Sequence, residues 1–198
     1  MHSGSAPSSW VMRWAHLIRP QGQVLDVACG RGRHAHWLAL QGFHVTGVDR
    51  DAEALAFADR HWPAVGAPPA RQLLLTDLEN QPWPFPCQTF DALVTTHYLW
   101  RPLWPTLLAS LSPGGVYIHE TFAHGNATVG KPSRPDFLLQ PGELLRACAD
   151  LRVVAYEDGF CPSPDRFVQR IVAVRESPHP DGLPARHTLT PPTGNWAG

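Results

Sequence analysis

Short apolar runs alternate with helical stripes along most of this chain. Val24, Leu25 and Val27 make the first run, and residues 44–49, 73–78, 90–96 and 116–121 make four more. Such short continuous runs are the pattern of parallel strands covered on both faces. Between them the spacing changes to that of helices. Residues 33–41 predict a helix stopped by Gly42, and the Ala-rich segment 52–60 predicts a second. Pro102 opens a third, with Leu103, Leu107, Leu108 and Leu111 as its stripe. Ahead of all these, Trp10, Val11, Trp14, Leu17 and Ile18 recur at helical spacing behind a capping Ser8 or Ser9. Ser112-Pro113-Gly114-Gly115 reads as a turn, and the prolines of 81–86 exclude a helix interior there.

Beyond residue 141 the alternation ends. Residues 142–150 predict a helix with Leu144, Leu145 and Cys148 inward, and residues 152–157 and 167–174 predict two strands. Their short Gly- and Pro-containing connection requires an antiparallel pair, because a parallel pair needs a longer crossover. The expectation is an α/β domain over residues 1–176, with an N-terminal cap helix. Its proline-rich tail, 177–198, has almost no apolar periodicity and reads as mobile.

The polar residues at the strand ends carry the chemistry. Asp26 closes the first run and precedes Gly30 and Gly32, which permit a tight turn and the close approach of a ligand. The carboxylate either caps amides of that turn or accepts hydrogen bonds from a ligand. Asp49 closes the second run, seventeen positions after Gly32, where an acid can accept both hydroxyls of a ribose. Asp77 falls at the end of the third. Gly30-Arg31-Gly32-Arg33-His34-Ala35 also fits the dinucleotide pattern G-x-G-x-x-G/A, a weak match by itself.

Asp26-Val27-Ala28-Cys29-Gly30-Arg31-Gly32 resembles motif I of the class I S-adenosylmethionine (SAM) methyltransferases, with Ala28 in place of the family's usual glycine. The resemblance spans roughly residues 24–175. It implies a Rossmann-like, seven-stranded, mostly parallel sheet with a terminal antiparallel hairpin, and SAM as cofactor. It places Asp26, Ala28, Gly30 and Gly32 around the methionine side, and Asp49 with Arg50 at the ribose. Asp77 and Leu78 then flank the adenine, and Thr96 joins the cofactor set. The style of the loop at 123–141 resembles small bacterial methyltransferases of the tellurite-resistance-like group.

The acceptor region follows the fourth and fifth runs, at the carboxyl edge of such a sheet. His97 and His124 are candidate general bases, since histidine titrates near neutrality. Trp10, Trp14, Tyr98, Trp100 and Glu120 are candidate walls of an acceptor pocket. Lys131 and Arg134 in the long loop offer charges for an anionic acceptor. No Asn/Asp-Pro-Pro-aromatic signature follows the fourth run, where Thr95-Thr96-His97-Tyr98 stands, and Pro86-Cys87 precedes that run rather than following it. Methylation of DNA or protein is therefore not favoured.

Composition narrows the partners. A formal net charge of −1 gives no bulk attraction to nucleic acid or anionic membrane. No run approaches the roughly 20 apolar residues of a membrane span, and residues 1–7 lack the apolar core of a signal peptide. Four widely spaced cysteines without C-x-x-C suit a reducing cytoplasm, and the histidine spacing shows no metal pattern. The reading is a cytoplasmic SAM-dependent methyltransferase of a small molecule. A non-catalytic SAM or S-adenosylhomocysteine (SAH) binder is the second reading, and an NAD-dependent oxidoreductase, against which Asp26 and Asp77 count, is the third.

Overall fold

The structure is a computed structural model that describes residues 6–62, 71–177 and 181–191. Seven strands form one sheet: β1 Gln23–Val27, β2 His44–Asp49, β3 Arg71–Leu75, β4 Phe90–Thr96, β5 Leu111–Phe122, β6 Arg152–Pro162 and β7 Asp165–Val174. Their order is β3-β2-β1-β4-β5-β7-β6. The first five are mutually parallel, and β7 runs antiparallel to both β5 and β6. Chain direction across the sheet reverses between β1 and β4, so their carboxyl ends open a crevice for a ligand.

Period-two alternation sends successive side chains to opposite core layers. Val24, Val45, Val94, Ile118 and Val172 face α1 (Ser9–Trp14) and α2 (Arg33–Leu40), with Trp10, Trp14 and Leu38 in the same layer. Leu25, Val27, Leu93, Tyr117 and Ile171 face the other way, against Leu107 of α4 (Trp104–Ala109) and Leu144 of α5 (Glu143–Ala147). The remaining helix, α3 (Ala52–Arg60), has the bounds its Ala-rich pattern predicts and is capped by Asp51, whose carboxylate accepts from the Glu53 and Ala54 amides.

Several boundaries differ from expectation, each for a tertiary reason. The third strand covers 71–75 rather than 73–78, because Arg71 and Gln72 pair with Val45 and Thr46 of β2. Asp77 therefore lies in the turn beyond it, accepting from the Glu79 amide. The helix expected from Pro102 to Leu111 is a 3-10 turn, Arg101–Leu103, followed by the shorter α4. Leu111 already belongs to β5, and residues 112–115 bulge out of that strand instead of preceding it. The bulge is held by Arg175, whose carbonyl accepts from Gly114 N and whose amide donates to Gly115 O. The first helix gives way to a 3-10 turn at Ala15–Leu17, α5 has five residues, and the strands of the terminal hairpin are longer than expected, Arg152–Pro162 and Asp165–Val174. Of the expected mobile tail, 178–180 and 192–198 lie outside the described residues. In the part described, His16 Nε2 lies 2.9 Å from Thr188 O, and His187 Nε2 lies 3.0 Å from Glu176 Oε1.

Among the buried titratable groups of this frame, Asp26, His34 and His119 bear on stability between pH 4 and 8. Asp26 accepts from the Ala35 amide at 3.0 Å, capping α2 because Gly32 at its N-cap has no side chain. Burial raises its pKa from 3.8 to about 7, against the lowering effects of that amide and of Arg33. Burial lowers His34 and His119 from 6.5 to about 3. Between pH 4 and 6.5 the unfolded chain binds two more protons at the histidines and one fewer at Asp26. The histidine contributions thus vanish on acidification, while the contribution of Asp26 is present in acid and lost as pH rises to 7. These groups together give a loss on the order of 1.4 kcal/mol per pH unit on acidification through that window. Asp26→Asn removes the opposing contribution. Equilibrium unfolding across pH 4–8 is expected to show the variant more stable at pH 8 and with about twice the acid slope from these groups; identical pH curves would contradict it.

Candidate functional site

The loop from β1 to α2 passes through three left-handed positions, Ala28 (φ 54°), Gly30 (φ 53°) and Gly32 (φ 76°). A Cβ on Gly32 would stand 2.9 Å from His36 Nε2 and 3.0 Å from Ala58 Cβ, so the close packing of α2 on α3 requires its absence. A Cβ on Gly30 would meet nothing within 4 Å, so that position faces open space; neither Gly30 nor Gly32 lines the neighbouring cleft. Ala28 adopts the same conformation with a methyl group, at a cost of about 1–2 kcal/mol for an L-residue.

Asp49, at the end of β2, fastens this loop. One carboxylate oxygen accepts from Gly30 N at 2.7 Å and the other from Asp51 N at 2.9 Å. The Cys29 amide also donates to Val48 O. The turns after β1 and β2 are thus held together at one carboxylate, which retains free lone pairs on both oxygens.

A cleft opens beside them. Its apolar walls are Val48, Leu78 and Leu99, its carboxylates Asp49, Asp77 and Glu79, and its far side His97, Tyr98 and Phe137. Ala28, Arg50 and Thr76 complete it, with Arg50 Nη1 3.5 Å from Glu79. Hydrogen bonds from Asn80 Nδ2 and the Glu79 amide hold Asp77 below the usual carboxylate range. The Tyr98 hydroxyl is buried in this cleft with no partner among the described residues, and burial raises its pKa. An orphaned hydroxyl beside apolar walls and carboxylates is what a nucleoside with polar edges would complete.

On the far side of His97 stands a polar cluster. His97 is left-handed (φ 55°), stacks on Phe122 at 4.9 Å, and has Nδ1 3.4 Å from Arg33 and Nε2 3.8 Å from Glu120. Burial and Arg33 lower its pKa, opposed by Glu120. Glu120 is fully buried and paired with Arg170 at 2.6 Å. It also accepts from Ser8 Oγ, the hydroxyl that caps α1. His34 Nε2 accepts from the Ser8 amide, so its Nδ1 carries the proton and donates to Thr96 Oγ1. Ser8, His34 and Arg170 thus bind the start of the chain to β4, β5 and β7.

Residues 24–115 match the family model for a methyltransferase domain. The YqeM protein of Bacillus subtilis strain 168, named as a methyltransferase, is 41% identical over 56 residues, which cover 28% of this chain and 23% of that protein. Among solved structures, TehB of Haemophilus influenzae superposes with a TM-score of 0.64 at 20% identity, over 82% of this chain and 60% of that one. A SAM-dependent methyltransferase of Methanosarcina mazei gives 0.66 at 14% identity, over 87% of this chain and 99% of that one. With the strand order and the glycine loop, these matches decide the fold. The chain has the class I methyltransferase fold.

Within this fold, Ala28, Asp49, Arg50, Asp77 and Leu78 meet in one cleft, and His97 and Tyr98 join them. Asp26 lies beneath the loop on the Ala35 amide, and Thr96 is buried against His34. Trp10 and Trp14 sit in the core rather than in the cleft: their helix turns both rings down onto the sheet, and the Trp10 indole donates to Ile171 O. Glu120 is likewise buried, Trp100 lies outside the cleft, and His124 is exposed beyond it. Arg134 is paired with Asp136 at 3.0 Å. The sequence pattern missed Phe137, His34, Ser8 and Arg170. Ser8 had a signal, as a helix cap, but nothing local marks its partners.

Asp49→Ala removes the acceptor of two loop amides. Thermal or denaturant unfolding is expected to show a loss of about 1–3 kcal/mol. Wild-type stability would mean that water satisfies both amides and that Asp49 does not organise the loop.

Proposed function

We propose that the chain is a SAM-dependent methyltransferase whose acceptor is a small molecule. The cleft carries this reading: carboxylates and an orphaned hydroxyl edge an apolar slot, beside a left-handed loop at the point where sheet direction reverses. In this reading Asp49 accepts the ribose hydroxyls on its free lone pairs, Asp77 and Leu78 flank the adenine, and the space over Gly30 admits the methionine portion. When bound, SAM supplies a methyl group on a sulfonium, open to in-line displacement by a nucleophile. The chain's contribution is then chiefly positioning and exclusion of water, which can supply on the order of 7–11 kcal/mol of barrier reduction.

His97 is the base in this reading for an acceptor that arrives protonated. Its lowered pKa keeps the imidazole neutral at pH 7. Nδ1 faces the Arg33 guanidinium, a donor, at 3.4 Å, so that nitrogen holds the lone pair and Nε2–H is directed to Glu120. In this reading the base acts by exchanging that long Arg33 contact for the acceptor's proton. Glu120 offsets the positive charge that forms once His97 accepts a proton. A formal net charge of −1, which gives no bulk attraction to nucleic acid, supports a small acceptor. Four cysteines that stand as free thiols support a reducing, cytoplasmic setting. Among the described residues no helix is long and apolar enough to cross a membrane.

Thermal unfolding with SAM, SAH and NAD tests cofactor choice. SAM and SAH are expected to stabilise the protein, by about 2.7 kcal/mol at a hundredfold excess over Kd, and NAD is not. A shift with NAD alone would overturn the proposal. Screening acceptors for methyl transfer then separates an enzyme from a silent binder.

His97→Gln is expected to lower turnover by roughly 10²–10⁴-fold while SAH affinity stays near wild type. The acid limb of the wild-type rate profile should fall below pH 6.5, since His97 must be neutral to act. Unchanged turnover, or a limb above 6.5, would remove His97 as base.

A further inference from the structure

The stretch between β5 and α5 is long, yet its second half is closely bound. Leu139 bridges Ala123, donates to Phe122 O, and accepts from His124 N, while Leu138 and Leu139 are buried. Gln169 Nε2 donates to Gln140 O. From this fixed base one large apolar side chain projects outward. Phe137 is 44% exposed and lines the cleft with Leu78 and Tyr98. Nearly half of the residue's surface is left to solvent, and the Arg134 guanidinium lies 5.2 Å from its ring centroid.

Arg101 holds the backbone on both sides of that ring. Its Nη1 donates to Asp136 O at 2.8 Å and its Nη2 to Leu138 O at 3.0 Å. The same guanidinium makes a fork onto Glu143, Nε to Oε1 at 2.5 Å and Nη2 to Oε2 at 3.0 Å. Glu143 Oε2 also accepts from the Gln140 amide at 2.7 Å, closing the ring of contacts. Each charge raises the tendency of the other to stay ionised: Arg101 holds Glu143 below the usual carboxylate range. Arg101 follows directly on Tyr98, Leu99 and Trp100, the exit from β4, so one side chain joins two walls of the cleft. A planar fork with both carbonyls in range is a geometry that lysine cannot reproduce.

We propose that Phe137 is the lid residue that covers the bound cofactor, and that Arg101 with Glu143 is the positioning clasp that holds the ring in place. The proposal rests on the cleft being the SAM site. Phe137 would touch the ligand; Arg101 and Glu143 would act only through the loop. Because the clasp is built of charge-assisted bonds at the base of the loop, it places the ring before ligand arrives, which spares the ordering cost at binding.

Calorimetry with SAH as probe tests this on the full chain. Phe137→Ala is expected to weaken SAH binding about tenfold, the scale of losing one aromatic face against a base. Arg101→Lys and Glu143→Gln, with Phe137 present, should weaken it severalfold. In the double variant Phe137→Ala/Glu143→Gln the losses should not add, because the clasp has no ring left to place. Fully additive losses of affinity in the double variant, or a lower melting temperature in Arg101→Lys without a change in Kd, would overturn the clasp. Glu143→Gln, which keeps Arg101 and its two carbonyl bonds, guards against loss of folding. If the wild-type chain binds SAH and Phe137→Ala binds it equally well, the lid is refuted while the cofactor reading survives. If the wild type does not bind SAH, both fall.

Discussion

The left-handed turn after β1 is the constraint on which the rest of the site depends. Three positive φ angles within five residues are an unstable local choice, and two carboxylates hold it. Asp26 supports it from below through the α2 amide, and Asp49 grips it from the side through the Gly30 amide. The first carboxylate is deeply buried and carries a raised pKa for it; the second remains at the edge of the cleft with lone pairs to spare. Stability and binding thus share the same short segment. A backbone held this way presents its open face over Gly30 without rearrangement.

A second buried carboxylate organises the opposite side of His97. Glu120 on β5 is compensated by Arg170 on β7 and receives the hydroxyl of Ser8, while the amide of Ser8 goes to His34 on α2. Removing one member of a buried ion pair costs about 3–5 kcal/mol, since the other charge is left without a partner. The N-terminal helix is consequently part of the frame around His97 and not a loose cover. Its tryptophans contribute core area, and only its first turn approaches the site.

Much of the fold was legible in residue order. The bounds of α3 and β4 follow from pattern alone, as do the alternation, the antiparallel hairpin, and the place of Asp49 at the end of β2. Errors gathered where pairing competes with local preference. Leu111 continues a helical stripe, yet it pairs with Phe90, and the Arg175 backbone holds the following glycines as a bulge. Asp77 reads as the end of a strand because its neighbours are leucines; the ladder with β2 instead begins two residues earlier and stops at Leu75.

The sequence by itself determined the class of fold and the acids along one edge of the cleft, because strand-end acids and glycines at set spacing are local features of the chain. Only the tertiary structure decided which aromatic and charged residues meet there. Trp10 and Trp14 read as cleft walls and lie in the core, while Phe137, distant in sequence from every motif, reaches the cleft. The physical reason is that a side chain's direction in a loop or a short helix depends on contacts made by residues far along the chain. For Phe137 these are the bonds of Arg101; for Trp10, the carbonyl of Ile171 and the ring's packing under Arg170.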